Sequence, residues 1–155
     1  MYENFFEVKV LRVRILSFSF IHKDNLDNPN IDENEINFTY NSNISLKVNI
    51  EDELIDIKCS IKVFLPDNKK DSIINLEVLS SYLLKELGKY EISKGEFDIP
   101  EEIIEQLVIT SISNTRGVLS VKVNETGFKN IILPLIQMEE LKQKKPKTKQ
   151  KKGVQ

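Results

Sequence analysis

Strict alternation of apolar and polar residues in the first half of the chain is the feature that most limits the fold. A period of two is that of a β-strand with one buried face. Residues 44–50 and 55–63 both follow it, and only the short turn Glu51-Asp52-Glu53 separates them. The two runs therefore predict an antiparallel hairpin. The apolar positions are Ile44, Leu46, Val48, Ile50, Ile55, Ile57, Cys59, Ile61 and Val63.

Two further segments predict long strands on either side of this hairpin. Residues 7–21 change phase twice along their length, which indicates a β-bulge or a strand buried on both sides. Residues 72–86 place Ile74, Leu76, Val78, Tyr82 and Leu84 in one register and Ile73, Leu79 and Leu83 on the other face. Residues 22–37 are polar and contain Pro29, so we expect a loop there.

One convincing helix follows an irregular segment at residues 87–97. Asp98 is placed to cap it, Pro100 stands early, and Glu101 and Glu102 complement the positive end of the helix dipole. Gly117 predicts its end, after roughly four turns. The apolar stripe of this helix comprises Ile104, Leu107, Val108, Ser111 and Ile112.

The remaining residues predict short extended pieces and a small second helix. We expect extended structure around Leu119, Val121 and Val123 within residues 118–136, then a short C-terminal helix at about 137–143. Residues 144–155 are rich in Lys and predict a disordered, solvated tail. The expected fold is therefore α+β. One domain spans residues 1–143, with a four-stranded antiparallel sheet and one main helix packed on one face.

Composition favours sheet and argues against catalysis. The chain of 155 residues has no Ala, so β-branched residues supply most core candidates. His22 and Cys59 are each the single residue of their type, which excludes the usual zinc sites, a disulfide within the chain and the commonest general base. No glycine-rich phosphate loop is present. We expect no enzyme activity, no cofactor and no metal.

Charge separates the body from the tail. Seven Lys and no acidic residue lie beyond Leu141, so residues 1–140 carry a net charge of −9. An acidic body suits basic partners rather than nucleic acid. The tail has no aromatic residue to stack on bases, which favours a solvated segment over one that binds ribosomal RNA. No secretory signal or membrane-spanning stretch stands out, so we expect a cytoplasmic protein.

The apolar surface of the predicted sheet exceeds what one helix can cover. The first and fourth strands read as apolar on both faces, and a helix is only about 10 Å wide. We therefore expect a second subunit or a polypeptide client on the remaining face, unless loops 22–42 and 87–97 cover it. The candidates for client or subunit contact, which plain core packing would equally explain, are Phe18, Phe20, Leu79, Tyr82 and Leu83.

The predicted order of elements resembles that of the SecB export-chaperone family. The most specific residues are Ile99-Pro100, then Ile112-Ser113-Asn114-Thr115-Arg116-Gly117, then Asn130-Ile131-Ile132-Leu133-Pro134-Leu135-Ile136. The resemblance implies an ATP-independent holdase that assembles as a dimer of dimers and binds non-native polypeptide in apolar grooves. In export members an acidic sheet surface and the C-terminal region dock the SecA motor, whereas other members guard an antitoxin.

A second hypothesis comes from a different class of protein. A dedicated interaction protein, such as an antitoxin-specific SecB-like chaperone or adaptor, would grip one partner only. Long continuous apolar grooves are typical of a promiscuous holdase, whereas discriminating polar contacts are typical of a dedicated partner. The sequence alone leaves both hypotheses open.

Overall fold

A computed structural model of the protein describes residues 7–134, which form a four-stranded antiparallel sheet and one long helix. The strands are β1 (Val8–Phe20), β2 (Thr39–Asn49), β3 (Leu54–Phe64) and β4 (Ile74–Leu84), in the spatial order β1-β4-β3-β2. A small hairpin follows, with β5 (Glu91–Ser93) and β6 (Glu96–Phe97), and then the helix α1 (Glu101–Lys122). The α+β class, the four strands and the hairpin of β2 and β3, which lies at one side of the sheet, are confirmed.

Helix α1 packs on one face of the sheet, mainly over β3 and β4. Residues that pair directly across antiparallel strands have side chains on the same face of the sheet. The pairing of the four strands therefore shows which side chains face the helix. On β3 and β4 these are the buried residues at alternate positions, such as Ile57, which pairs with Ser80. We call the opposite side of the sheet the outer face.

Two register shifts in β1 correct the expectation of a strand that is apolar on both sides. The shifts lie between Val10 and Arg12 and between Ile15 and Ser17, and they return the apolar residues that follow them to the helix side, whereas Leu11 and Leu16 are skipped by the pairing and are exposed. The β1 residues that pair with helix-facing positions of β4 are Val8, Val10, Val13, Ile15, Phe18 and Phe20. The outer face of the sheet is therefore mostly polar, and the prediction of a second apolar face is wrong.

The helix starts and ends differently from the prediction. Asp98 does not cap it, because the Asp98 N–H bonds to the Tyr90 carbonyl oxygen at 2.8 Å and the helix begins only after Pro100. Gly117 does not end it, because α1 continues for 22 residues to Lys122. The extended pieces expected around Leu119 and Val121 are therefore helical. Burial explains the continuation, since Leu119 lies in the core four residues after Thr115.

The core lies between α1 and the sheet, and small polar residues let the two layers approach closely. Ser111 and Thr115 are fully buried on the helix, facing Tyr82 of β4 and Cys59 of β3. The Tyr82 hydroxyl lies 2.7 Å from Ser111 Oγ. The Ser111 hydroxyl donates to the Leu107 carbonyl oxygen at 2.7 Å. Serine and threonine thus occupy positions where alanine is common, and their hydroxyls are satisfied.

The loop between β1 and β2 is fastened to the segment that follows α1. Glu33 Oε1 accepts from the N–H of Lys129 at 2.6 Å and of Asn130 at 3.2 Å, and Glu33 Oε2 lies 3.2 Å from Lys23 Nζ. Burial alone would raise the pKa of Glu33, but these hydrogen bonds and the Lys23 charge outweigh it and lower the pKa. Leu26 and Phe38 of the same connection pack on the helix-side core, so the loop does not cover the outer face.

The predicted short helix at 137–143 and the tail at 144–155 lie outside the described residues. The last described segment, 127–134, runs along the core without regular structure and buries Phe128, Ile131 and Leu133.

Candidate polypeptide-binding groove

Strand β1 carries apolar side chains that no other described element covers. Helix α1 crosses β3 and β4, so the helix-facing side of β1 lies beyond its edge. Val10 is 49% exposed and Ile15 is 44% exposed, although both point to the side of the core. We call this surface the apolar strip, which consists of Val10, Val13, Ile15, Phe18 and Phe20. Such continuous apolar exposure marks an interaction surface.

A groove separates the apolar strip from α1. Its volume is about 520 Å³. Val13 and Ile15 form one wall, and Val118, Val121 and Lys122 belong to the other. Val121 is 66% exposed, which is unusual for a valine in a helix that packs on a core. The groove is open to solvent, and its valine and isoleucine side chains stand beside Ser113, Asn114 and Lys122 of the helix, so its walls offer both apolar and polar contacts to an extended chain.

An aromatic pair lies next to Lys122, which is one of the residues that line the groove. The rings of Phe18 and Phe20 stack with centroids 5.2 Å apart, and Lys122 Nζ lies 5.4 Å from the centre of the Phe18 ring. The Lys122 ammonium thus has two partners, the Phe18 ring and the Glu125 carboxylate, whose Oε1 lies 2.7 Å from Nζ. Phe18 packs against the core and is therefore half-buried, whereas Phe20 is exposed.

Strand β1 is also an edge of the sheet. Among residues 7–134 it pairs with β4 alone, so one row of its backbone N–H and C=O groups has no strand partner there. An open edge next to an apolar groove offers two kinds of contact to the same extended segment. The edge has backbone groups that can pair with those of an extended segment, and the groove has room for its alternate side chains.

The five residues predicted to contact a client or subunit fall in three places. Phe18 and Phe20 belong to the apolar strip, and Leu79 and Leu83 lie half-buried on the outer face, away from it. Tyr82 is only 1% exposed and its hydroxyl is satisfied within the core, so it offers no surface to a client. The structure therefore brings two of the five together.

Sequence reasoning missed most of the groove. The sequence predicts extended structure around Val121 and a helix that ends at Gly117, so the place of Val118 and Val121 on a helix beside β1 does not follow from it. Val13 and Ile15 were expected to point away from Val10, and only the two bulges return them to its side. The one available signal is the helical spacing of Val118 with Val121 and of Leu119 with Val123 after Gly117.

Three observations on the described residues concern metal ions, membranes and the cysteine thiol. Within residues 7–134 no group of three or more His, Cys, Asp or Glu is arranged to hold a metal ion. No helix in that range is long and apolar enough to cross a bilayer. Burial raises the pKa of the Cys59 thiol, with a smaller opposing effect from its hydrogen bond to Thr115, so this cysteine is a poor nucleophile.

The sheet order, the single long helix and their connection define a SecB-like α+β fold. No protein-family model matches the sequence, and no curated protein matches it in sequence. The similarity lies in structure. A SecB-like chaperone of Mycobacterium tuberculosis, solved with a peptide from the HigA1 antitoxin, matches with a TM-score of 0.53. The two chains are 9% identical, and the match covers 84% of this chain and 88% of the other.

Proposed function

We propose that this protein is a non-enzymatic, ATP-independent chaperone that holds extended polypeptide in the groove between β1 and α1. The observation that carries the proposal is the apolar strip, which lies exposed beside an open sheet edge. The SecB-like fold supports it, because the matched structure is that of a SecB-like chaperone with a bound peptide.

The energetics of such a groove suit reversible capture. Each apolar side chain that a client buries contributes about 1.5–3 kcal/mol. Each ordered backbone residue costs about 1–2 kcal/mol of conformational entropy. Only alternate side chains of an extended client enter the groove. The free energy gained by burying them therefore nearly cancels the entropy lost by ordering the client's backbone along one segment. Net affinity then comes from several segments or several grooves at once, and release needs no nucleotide.

Several grooves acting on one client require an oligomer, and we propose a homotetramer in the cytoplasm. Strand β2 is the other edge of the sheet and pairs with β3 alone among the described residues, so a second copy can join there while β1 holds a client. A molar mass of four chains in light scattering would support this assembly. A single copy at all concentrations would contradict it.

The second candidate is a dedicated chaperone for one partner such as an antitoxin. The observation that favours it is the antitoxin peptide bound to the matched structure. An export role has less support, because the outer face of this sheet carries more cations than carboxylates, unlike the acidic surface that the family resemblance implied for docking SecA. Protection of an unrelated unfolded protein at near-stoichiometric ratio favours the general holdase, and protection of one cognate peptide only favours the dedicated chaperone.

The groove itself is tested by two substitutions that keep shape and remove apolar character. Ile15→Thr and Val121→Thr keep β-branched side chains on the strand and the helix but place hydroxyls in the groove walls. Together we expect them to weaken binding of a fluorescent, permanently unfolded client about tenfold, which corresponds to about 1.4 kcal/mol. Fluorescence anisotropy measures the affinity.

Ile109→Thr is the matched control. Ile109 is 49% exposed on the same helix but does not line the groove. This variant should bind the client as the unchanged protein does, and all three should give the same circular dichroism. Equal affinity of the double variant and the unchanged protein would remove the groove from the mechanism.

A further inference from the structure

The outer face of the sheet is cationic, although the protein as a whole is acidic. Its strand positions carry six cations and two carboxylates, assigned from the strand pairing. The other described residues carry nine cations and nineteen carboxylates. The cations of the outer face are Lys9, Arg12, Arg14, Lys47, Lys58 and Lys62, and the carboxylates are Asp56 and Glu77.

Most of these cations are not neutralised by their neighbours. Lys58 Nζ lies 3.9 Å from Glu77 Oε1, which is the one ion pair on this face among residues 7–134. The Asp56 carboxylate accepts from the Ser81 hydroxyl. Lys9, Arg14, Lys47 and Lys62 are exposed and make no ion pair with another described residue. Such a concentration of one sign creates a local positive potential that attracts an anionic partner.

Two leucines lie within this positive field. Leu79 pairs directly with Arg14 on one side and with Lys58 on the other, and Leu83 pairs with Lys9 and Leu54. Leu79 and Leu83 are half-buried and stand on the same face of β4, about 13 Å apart along the strand. Apolar positions flanked by cations are complementary to a chain that carries apolar and acidic side chains together.

We propose that the outer face docks an acidic polypeptide segment that bears leucine-sized apolar side chains. Apolar residues of that segment contact Leu79 and Leu83, and its carboxylates pair with the surrounding Lys and Arg. Nucleic acid fits less well. The face has a single aromatic side chain, Phe64, among the described residues, and the nineteen carboxylates elsewhere repel a long polyanion. The outer face is thus a second binding surface, opposite in charge to the rest of the protein and separate from the groove.

The test uses the full-length protein and a fluorescent peptide of alternating Glu-Glu and Leu-Leu pairs, so that each face of the extended peptide carries both residue types. The peptide is about 12 residues long so that it can run the length of a strand. We expect it to bind in a salt-sensitive manner. Arg14→Glu with Lys62→Glu should weaken binding at least tenfold. Lys69→Glu with Lys70→Glu, which makes the same charge change in the exposed turn between β3 and β4, should weaken it less than about twofold. The C-terminal Lys residues are unchanged in both variants, so their contribution cancels.

Three further arms identify the partner. An otherwise equal peptide of Glu and Ser should bind more weakly, because it lacks the apolar side chains. The groove variant Ile15→Thr with Val121→Thr should bind the Glu-Leu peptide normally, which separates this proposal from the chaperone proposal. The proposal is overturned by no binding of the Glu-Leu peptide, by equal losses in the two charge-reversal variants, or by single-stranded RNA binding the outer face more tightly than the peptide.

Discussion

Glu33→Gln tests whether one carboxylate fastens the β1–β2 loop to the segment after α1. The carboxylate accepts two backbone N–H groups, from Lys129 and Asn130, and pairs with Lys23. The Glu33 side chain is 7% exposed, so water cannot easily replace these partners at the carboxylate. Gln keeps one oxygen as an acceptor but loses the charge and the ion pair.

The magnitude follows from these contacts. A hydrogen bond to a charged group contributes about 1.5–3 kcal/mol, against about 1 kcal/mol for a neutral one. Lys129 and Asn130 are themselves exposed, so water partly compensates their N–H groups and the lower values apply. We expect Glu33→Gln to lower the free energy of unfolding by about 1–2 kcal/mol and Glu33→Ala to lower it by about 3 kcal/mol at neutral pH.

The effect should depend on pH in a defined direction. The pKa of Glu33 is lowered in the folded protein, so its contribution is complete above the ordinary Glu pKa of about 4.3. It is lost as the pH falls through the lowered, folded-state pKa. The unchanged protein and Glu33→Gln should therefore converge in stability under acid conditions, because both then carry a neutral group at this position.

Urea denaturation at neutral and acid pH measures the difference, and hydrogen exchange at the Lys129 and Asn130 amides reports the local effect. Glu35→Gln is the matched control, since Glu35 is in the same loop and its side chain makes no hydrogen bond or ion pair with another described residue. Equal stability of Glu33→Gln and the unchanged protein at neutral pH, or an equal loss in Glu35→Gln, would refute the reasoning.

Three further predictions concern two glycines and the core tyrosine, and thermal or urea denaturation checks each of them. Gly117→Ala should stabilise the protein by about 0.5–1 kcal/mol, because Gly117 lies inside α1 and a Cβ there meets no atom within 4 Å. Gly127→Ala should destabilise it, because Gly127 has a φ of +79° and a Cβ would lie 2.8 Å from His22 Cε1. Tyr82→Phe should cost about 1 kcal/mol, since Ser111 still donates to Leu107; a loss near zero would show that the tyrosine hydroxyl is not needed there.

The regular parts of the fold were predictable because periodicity is a local property. The alternation at 44–50 and 55–63 specifies strands whatever their neighbours are, and the hairpin follows from the short turn. The end of the helix was not predictable from Gly117 alone. A glycine costs a helix only about 1 kcal/mol, and burial of Leu119 and Val123 on the sheet exceeds that cost.

The candidate site was less predictable, because it depends on register. The face to which each apolar side chain of β1 points depends on the positions of the two bulges. Those positions are set by the pairing of β1 with β4 and are not visible in the sequence. The prediction that apolar surface remains uncovered identified the right strand but the wrong face. Tyr82 shows the same difficulty, since a surface aromatic residue and a core aromatic residue with a satisfied hydroxyl give the same sequence pattern.

The two bulges of β1 also limit how this sheet can aggregate. They leave one side of the edge strand apolar and give the other side Lys9, Arg12 and Arg14. Another chain can extend the sheet in its plane, but two such sheets cannot stack through their outer faces without bringing like charges together. A chain can therefore add to the edge of the sheet, but the face-to-face stacking of sheets that builds a fibril is opposed by charge repulsion. The cations of the outer face thus protect against aggregation a protein whose edge strand is open and apolar on one side.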